Sequence, residues 1–193
     1  MRDIPPGIDI FKRQRPDTLV DIGSHCPMPN HFHLFLYEKM EGGISRFLQK
    51  LCTAYVMYFN KKYKRTGGLF EGVFKATHVA EDAYFQYLFA YFHLNPIKLI
   101  EPRWKDTGIK DLKRAEDFLR QYEYSSYLDY VGDGLRKYAA ILNKQSFPFE
   151  GESRADFSEF VRDWLIYKDE YTLVSATDVQ GEHKTEKIRE VSS

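Results

Sequence analysis

The chain has 193 residues, enough for one domain of ordinary size, and carries 28 basic against 28 acidic side chains for a formal net charge of zero. A chain this long hides roughly 70% of its unfolded surface unaided, and two irregularly placed cysteines, Cys26 and Cys52, exclude a secreted disulfide framework and a cysteine-built zinc site. No apolar run approaches the ~20 residues that span a bilayer and the N-terminus has no signal core, so the expectation is a cytoplasmic domain without membrane contact.

Residues 1–17, broken by Pro5, Pro6 and Pro16, read as an irregular arm. The segment 18–26, TLVDIGSHC, reads as a short strand. Pro27 and Pro29 force a turn, since proline cannot donate to a ladder, and 31–39, HFHLFLYEK, reads as the second strand of a hairpin-like pair. Ile44, Phe47, Leu48, Leu51, Tyr55, Tyr58 and Phe59 mark one face of a 3.6-residue period, which predicts a helix over Ile44–Tyr63. Its basic end, Lys61, Lys62, Lys64 and Arg65, precedes Gly67-Gly68, as suits a helix C-terminus.

A strand is predicted around Val73–Val79, then a helix from Asp82 to about Leu94, ended by Pro96. Leu112–Tyr122 reads as a short helix and Tyr122–Tyr130 as an aromatic connection. Residues 132–176 read as a helical extension, in which Phe157, Phe160, Val161, Trp164 and Leu165 show helical spacing. Residues 177–193 read as a disordered acidic tail. The fold class is α+β, an antiparallel sheet with helices packed on it.

Zero net charge conceals an uneven distribution. Residues 44–75 hold seven bases (Arg46, Lys50, Lys61, Lys62, Lys64, Arg65, Lys75) against Glu71, a net of +6, whereas residues 149–193 hold eleven acids against six bases, a net of −5. A basic middle suits an anionic partner, and equally a solvated helix end.

Two clusters carry candidate chemistry. In His31-Phe32-His33 on a strand, the imidazoles project to one face about 7 Å apart and can converge on one ion if a third ligand approaches. The pair alone equally describes two ordinary histidines. In Tyr91-Phe92-His93-Leu94-Asn95-Pro96, helical spacing puts Tyr91 and Asn95 on one face and turns His93 away. A core tyrosine and a helix-ending asparagine fit that pattern as well.

Together, MPNHFHLFL (28–36), GGLFEGVFKA (67–76), AYFHLNPIK (90–98) and YSSYLDY (124–130) resemble, in the same order, motifs of the REP-associated tyrosine transposases, a branch of the single-tyrosine HUH transposases. The resemblance spans about residues 18–131, read as a transposase (HUH nuclease) domain with a ferredoxin-like palm. It implies that His31, His33 and Asn95 hold Mg²⁺ or Mn²⁺ and that Tyr91 is the catalytic nucleophile. The partner implied is single-stranded or hairpin DNA, cut and rejoined through a covalent 5′-phosphotyrosine in DNA transposition, by a monomer or a homodimer. Lys61, Lys62, Lys64, Arg65 and Lys75 are candidate phosphate contacts, and exposed aromatics could stack on unpaired bases.

Relatives have a further strand and helix ahead of the 18–26 strand, which this sequence does not match. The expected sheet therefore has a gap or an unpaired edge beside the catalytic strand. Gly23, Ser24, His25 and Pro27 stand where relatives commonly have apolar or aromatic residues, which predicts a weakened support for that strand. The alternatives are a truncated, catalytically inactive hairpin-DNA-binding protein and an unrelated metal hydrolase built on His31 and His33.

Overall fold

The computed structural model describes residues 9–13, 15, 17–79, 82–132, 136–147, 153–166 and 188–192. The two prolines act as expected: β1 (Val20–Pro27) ends at Pro27 and pairs antiparallel with β2 (Phe32–Glu38). A turn closes the hairpin, with Met28 N–H donating to the His31 carbonyl at 2.7 Å. The Tyr122 hydroxyl donates to the Pro27 carbonyl at 2.7 Å and pins the turn from outside.

Side chains alternate along β2 and divide the core in two. Leu34 and Leu36 join Val20, Ile44 and Leu48 on the face covered by α1 (Gly43–Tyr63). Phe35 joins Phe85, Phe89 and Phe92 on the face covered by α2 (Asp82–Leu94). His33 shares its face with Phe35, so the sequence parity alone directs it toward α2.

The main correction concerns the sheet. Polar composition assigns residues 188–192 to a disordered acidic tail, but they form β4 (Ile188–Ser192), which lies between β2 and β3 (Lys75–His78) in the order β1-β2-β4-β3. β4 is antiparallel to both neighbours, with Val191 opposite Leu34 on one side and Ala76 on the other. Val191 is fully buried in the α1-side core. One buried valine and two ladders of backbone bonds outweigh a polar composition that hydropathy reads as tail. β4 also occupies the place beside β2 where a gap or unpaired edge was expected. Residues 177–187 and Ser193 lie outside the described residues, as do 1–8, 148–152 and 167–176.

The α1 helix matches its predicted span within one residue, but its predicted apolar face is only half used. Gly43, Ile44 and Leu48 are buried near its start, while Leu51, Tyr55 and Tyr58 on the same stripe are exposed. At 1.5 Å rise per residue, a 21-residue helix runs on the order of 30 Å, and its second half extends past the core it covers. Lys64 ends it in the left-handed conformation, with its backbone N–H donating to the Asn60 carbonyl.

Beyond α2 the chain does not stop at Pro96. It tightens into a 3-10 segment, Asn95–Leu99, with the proline in its first turn where the missing N–H costs nothing. Next come α3 (Trp104–Thr107), α4 (Leu112–Gln121), α5 (Tyr127–Val131) inside the expected aromatic connection, and α6 (Arg154–Ile166), which packs on α2.

The segment between α5 and α6 covers the open edge of β1. Asn143 N–H donates to the Ile22 carbonyl at 2.9 Å and the Ser146 hydroxyl donates to Asp21 at 2.8 Å. Gly23, one of the unusual residues of β1, lies beneath this cover. The β1–β2 register shifts between Ile22 and Ser24, and the Phe147 ring occupies the space beside Gly23. The Tyr130 hydroxyl donates to the Gly23 carbonyl at 2.6 Å. The result is an α+β domain with an antiparallel sheet and packed helices, and no described helix is long and apolar enough to cross a membrane.

Candidate active site

β2 places His31 and His33 with ring centroids 5.0 Å apart. His33 lies between Cys26 of β1 and Ser192 of β4 in register. Its ring meets Phe92 at 5.3 Å and Tyr91 at 6.0 Å, so α2 delivers Tyr91 to the histidine pair. Burial lowers the His33 pKa to about 4, with the charges of His31, Lys98 and Lys105 adding to the effect; burial also lowers that of His31. Both rings are therefore neutral near pH 7, the form that can donate a lone pair to a metal. His31 Nδ1–H donates to the Asn30 side-chain oxygen at 2.7 Å, which leaves the lone pair on Nε2.

Asn95 opens the 3-10 segment directly after α2 and is fully buried, yet neither its amide nitrogen nor its amide oxygen has a hydrogen-bond partner. A buried amide without partners is costly, about 1–3 kcal/mol, and such an orphan suits a residue whose partner is a ligand. Two neutral imidazoles and this amide fit a divalent ion in type. A carboxylate-rich centre is a different matter: the described residues contain no cluster of three or more His, Cys, Asp or Glu that could hold a metal.

Tyr91 is half-buried and held on several sides. Its ring stacks on Tyr87, one helical turn earlier, at 6.1 Å, and Tyr87 in turn meets Trp164 of α6 edge-on. Lys105 Nζ stands 3.5 Å from the ring centroid, and Lys98 Nζ donates to the Tyr91 hydroxyl at 2.8 Å. These two lysines are the residues that sequence reading missed. Lys98 closes the AYFHLNPIK motif seven residues after Tyr91, but only the 3-10 turn after α2 shows that it reaches back to the phenol. Lys105 sits in a short helix without a periodic signal.

His93 takes no part in the site. Its Nδ1–H donates to the Phe89 carbonyl at 2.7 Å, and its Nε2 accepts from the Ser126 hydroxyl at 2.9 Å. Ser126 also accepts from the His25 backbone N–H at 3.0 Å, so β1, α2 and the start of α5 share one buried polar relay. Cys26 is buried and its thiol pKa is pushed up to about 12 by that burial, which makes it a poor nucleophile.

The basic candidates fall into two places. Lys61, Lys62, Lys64 and Arg65 lie exposed at the far end of α1, on the side of the sheet opposite His33. Lys75 instead begins β3 and is in register with Ser192, which is in register with His33, so Lys75 shares the row of the histidine pair two strands away. A row of aromatic contacts joins the two places. Phe32 meets Phe70 at 6.0 Å, Phe70 meets Tyr55 at 6.1 Å, Tyr55 meets Phe59 at 6.1 Å, and Phe59 meets Tyr63 at 4.5 Å. Lys62 lies over the rings of Tyr58 and Tyr63, and Arg65 over Phe59.

No protein-family model, no curated protein and no solved structure matches this chain. The functional reading therefore rests on its own residues.

Proposed function

We propose that the protein is a metal-dependent nuclease and strand transferase for single-stranded or hairpin DNA, working through Tyr91 in the manner of the HUH transposases. The observation that supports this most directly is the Tyr91 hydroxyl held by Lys98 at 2.8 Å, with its ring 6.0 Å from that of His33. A nucleophile, a cation and two neutral imidazoles converge there on the α2 side of an antiparallel sheet, an arrangement compatible with an HUH-type palm.

In this reading His31, His33 and Asn95 would hold Mg²⁺ or Mn²⁺, which when bound would supply Lewis acidity toward the scissile phosphate and its leaving oxygen. Imidazole donors are more acceptable to Mn²⁺ than to the harder Mg²⁺. The Tyr91 oxygen attacks phosphorus as its proton passes to solvent, which returns one to the departing 3′ oxygen. A tyrosyl O–P bond forms, the bond to the 3′ oxygen breaks, and the strand ends in a 3′-hydroxyl. The phosphodiester energy stays in the adduct, so rejoining requires no nucleotide cofactor. Lys98 orients the phenol and places positive charge where the phosphate oxygens arrive. The aromatic row from Phe32 to Tyr63, with its interleaved cations, offers ring faces and phosphate contacts to an unpaired strand.

Labelled single-stranded hairpin DNA, incubated with Mn²⁺ or Mg²⁺ and run on a denaturing gel, tests the reading. A protein-linked band that requires both the metal and Tyr91 is expected. If Tyr91→Phe leaves DNA binding intact and the wild type forms no such band, the chain is a hairpin-DNA-binding protein instead.

A further inference from the structure

The proposed metal donors are all neutral, and the charged side chains that touch the nucleophile, Lys98 and Lys105, are both cations. Lys98 Nζ lies 2.8 Å from the Tyr91 oxygen and 5.1 Å from the ring centroid. No described carboxylate forms an ion pair with Lys98. Magnesium is ordinarily held through carboxylates together with substrate phosphates. A His-His-Asn set beside an ammonium supplies lone pairs but no negative charge, so a dication arriving alone meets repulsion from Lys98 that no anion offsets.

We propose that Lys98 is the receptor for a phosphodiester and that this anion supplies the negative charge the metal donors lack, so that phosphate and divalent cation bind this site together. The inference rests on the nuclease reading of the same site and adds a binding rule to it. An anion seated against Lys98 neutralises the ammonium and presents oxygens toward the imidazoles, which turns repulsion into attraction for the cation. Linkage makes the effect reciprocal: the factor by which phosphate tightens the metal is the factor by which the metal tightens phosphate. Lys98 thus has two partners in sequence, the Tyr91 hydroxyl before the strand arrives and the phosphate afterwards. The exchange leaves the phenol oxygen free to attack.

The test measures Mn²⁺ binding to the full chain by the electron-spin resonance signal of free Mn²⁺. It is run alone, with a thymidine trinucleotide, and with the neutral methylphosphonate form of that trinucleotide. The wild type is expected to bind Mn²⁺ about 10–100-fold more tightly with the phosphodiester trinucleotide and to show no change with the methylphosphonate. Lys98→Arg keeps the coupling, and Lys98→Met and Lys98→Gln reduce it to less than about threefold. His33→Ala with the same trinucleotide corrects for metal bound by the oligonucleotide itself. Unchanged Mn²⁺ affinity in the wild type, equal tightening by the methylphosphonate, or full coupling in a folded Lys98→Met or Lys98→Gln protein overturns the proposal. Coupling without a Tyr91 adduct leaves this proposal standing and removes the nuclease reading; an adduct without coupling does the reverse.

Discussion

The ring of Phe147 lies 2.7 Å from the point where a β-carbon on Gly23 would sit. Phe147 is itself buried, against the larger core. A methyl group at position 23 must therefore displace a ring that is already enclosed. Gly23→Ala is expected to destabilise the fold by about 1–3 kcal/mol, the usual cost of overpacking. Urea unfolding measures this, and Phe147→Leu in the same chain should recover part of the loss. Equal midpoints for wild type and Gly23→Ala would refute the packing argument.

Two buried histidines make stability depend on pH. Burial lowers the His25 pKa to about 4, against the hydrogen bond to the Tyr124 carbonyl and with the charge of Arg136 adding to the effect, and lowers that of His93 to about 3, with His25 and Lys144 adding to the effect. Unfolded, each takes a proton near pH 6.5, which the native state refuses. Their contribution is complete above pH 6.5 and is lost as pH falls toward 4, by about 1.4 kcal/mol per pH unit for each histidine. Burial raises the pKa of Asp129, which lies beside His25, so its effect has the opposite sign and softens the slope at the acid end. Denaturant midpoints should hold level from pH 7.5 to about 6.5 and fall from there to pH 4.5, more gently in His25→Asn.

β3 pairs with β4 and with no other described strand. A charge in place of the fully buried Val191 should dislodge β4 at a cost of roughly 3 kcal/mol or more. In Val191→Asp, amide exchange is expected to show protection lost across 75–78 while the β1–β2 ladder keeps most of its own. Retained protection at 75–78 would mean that β3 is held by something other than β4.

The basic end of α1 should act through phosphates. Lys62→Met and Arg65→Met are each expected to reduce the salt slope of DNA binding by about 1 and to weaken all sequences alike. Tyr55→Ala should weaken single-stranded DNA by about 1–3 kcal/mol through lost stacking while leaving the melting temperature nearly unchanged, because Tyr55 is half exposed. Unaltered salt slopes would remove this helix from the DNA surface.

Local order was legible where one period dominated. The hairpin could be read from Pro27 and Pro29, α1 and α6 from apolar spacing that short-range geometry enforces, and α2 from its Asp82 start and Pro96 stop. β4 was not legible, because Ile188–Ser192 is short, lies in a polar stretch and owes its strand form to partners more than a hundred residues away. The same limit applies to the site. Strand parity pairs His31 with His33 and the family resemblance adds Tyr91, but the approach of Lys98 depends on how tightly the chain coils after Leu94. The half-empty stripe of α1 shows the converse error, since periodicity tells which side is apolar and not how far the core beneath it extends.

The place of β4 also sets a schedule for synthesis. Ile188 leaves the ribosome 110 residues after His78, an interval on the order of 5–20 s at ordinary elongation rates of ~5–20 residues per second. During that time the β2 edge and the whole of β3 present unpaired amides and carbonyls to any passing strand. The nascent chain is most open to wrong pairing beside the two histidines, and its final strand closes the sheet last.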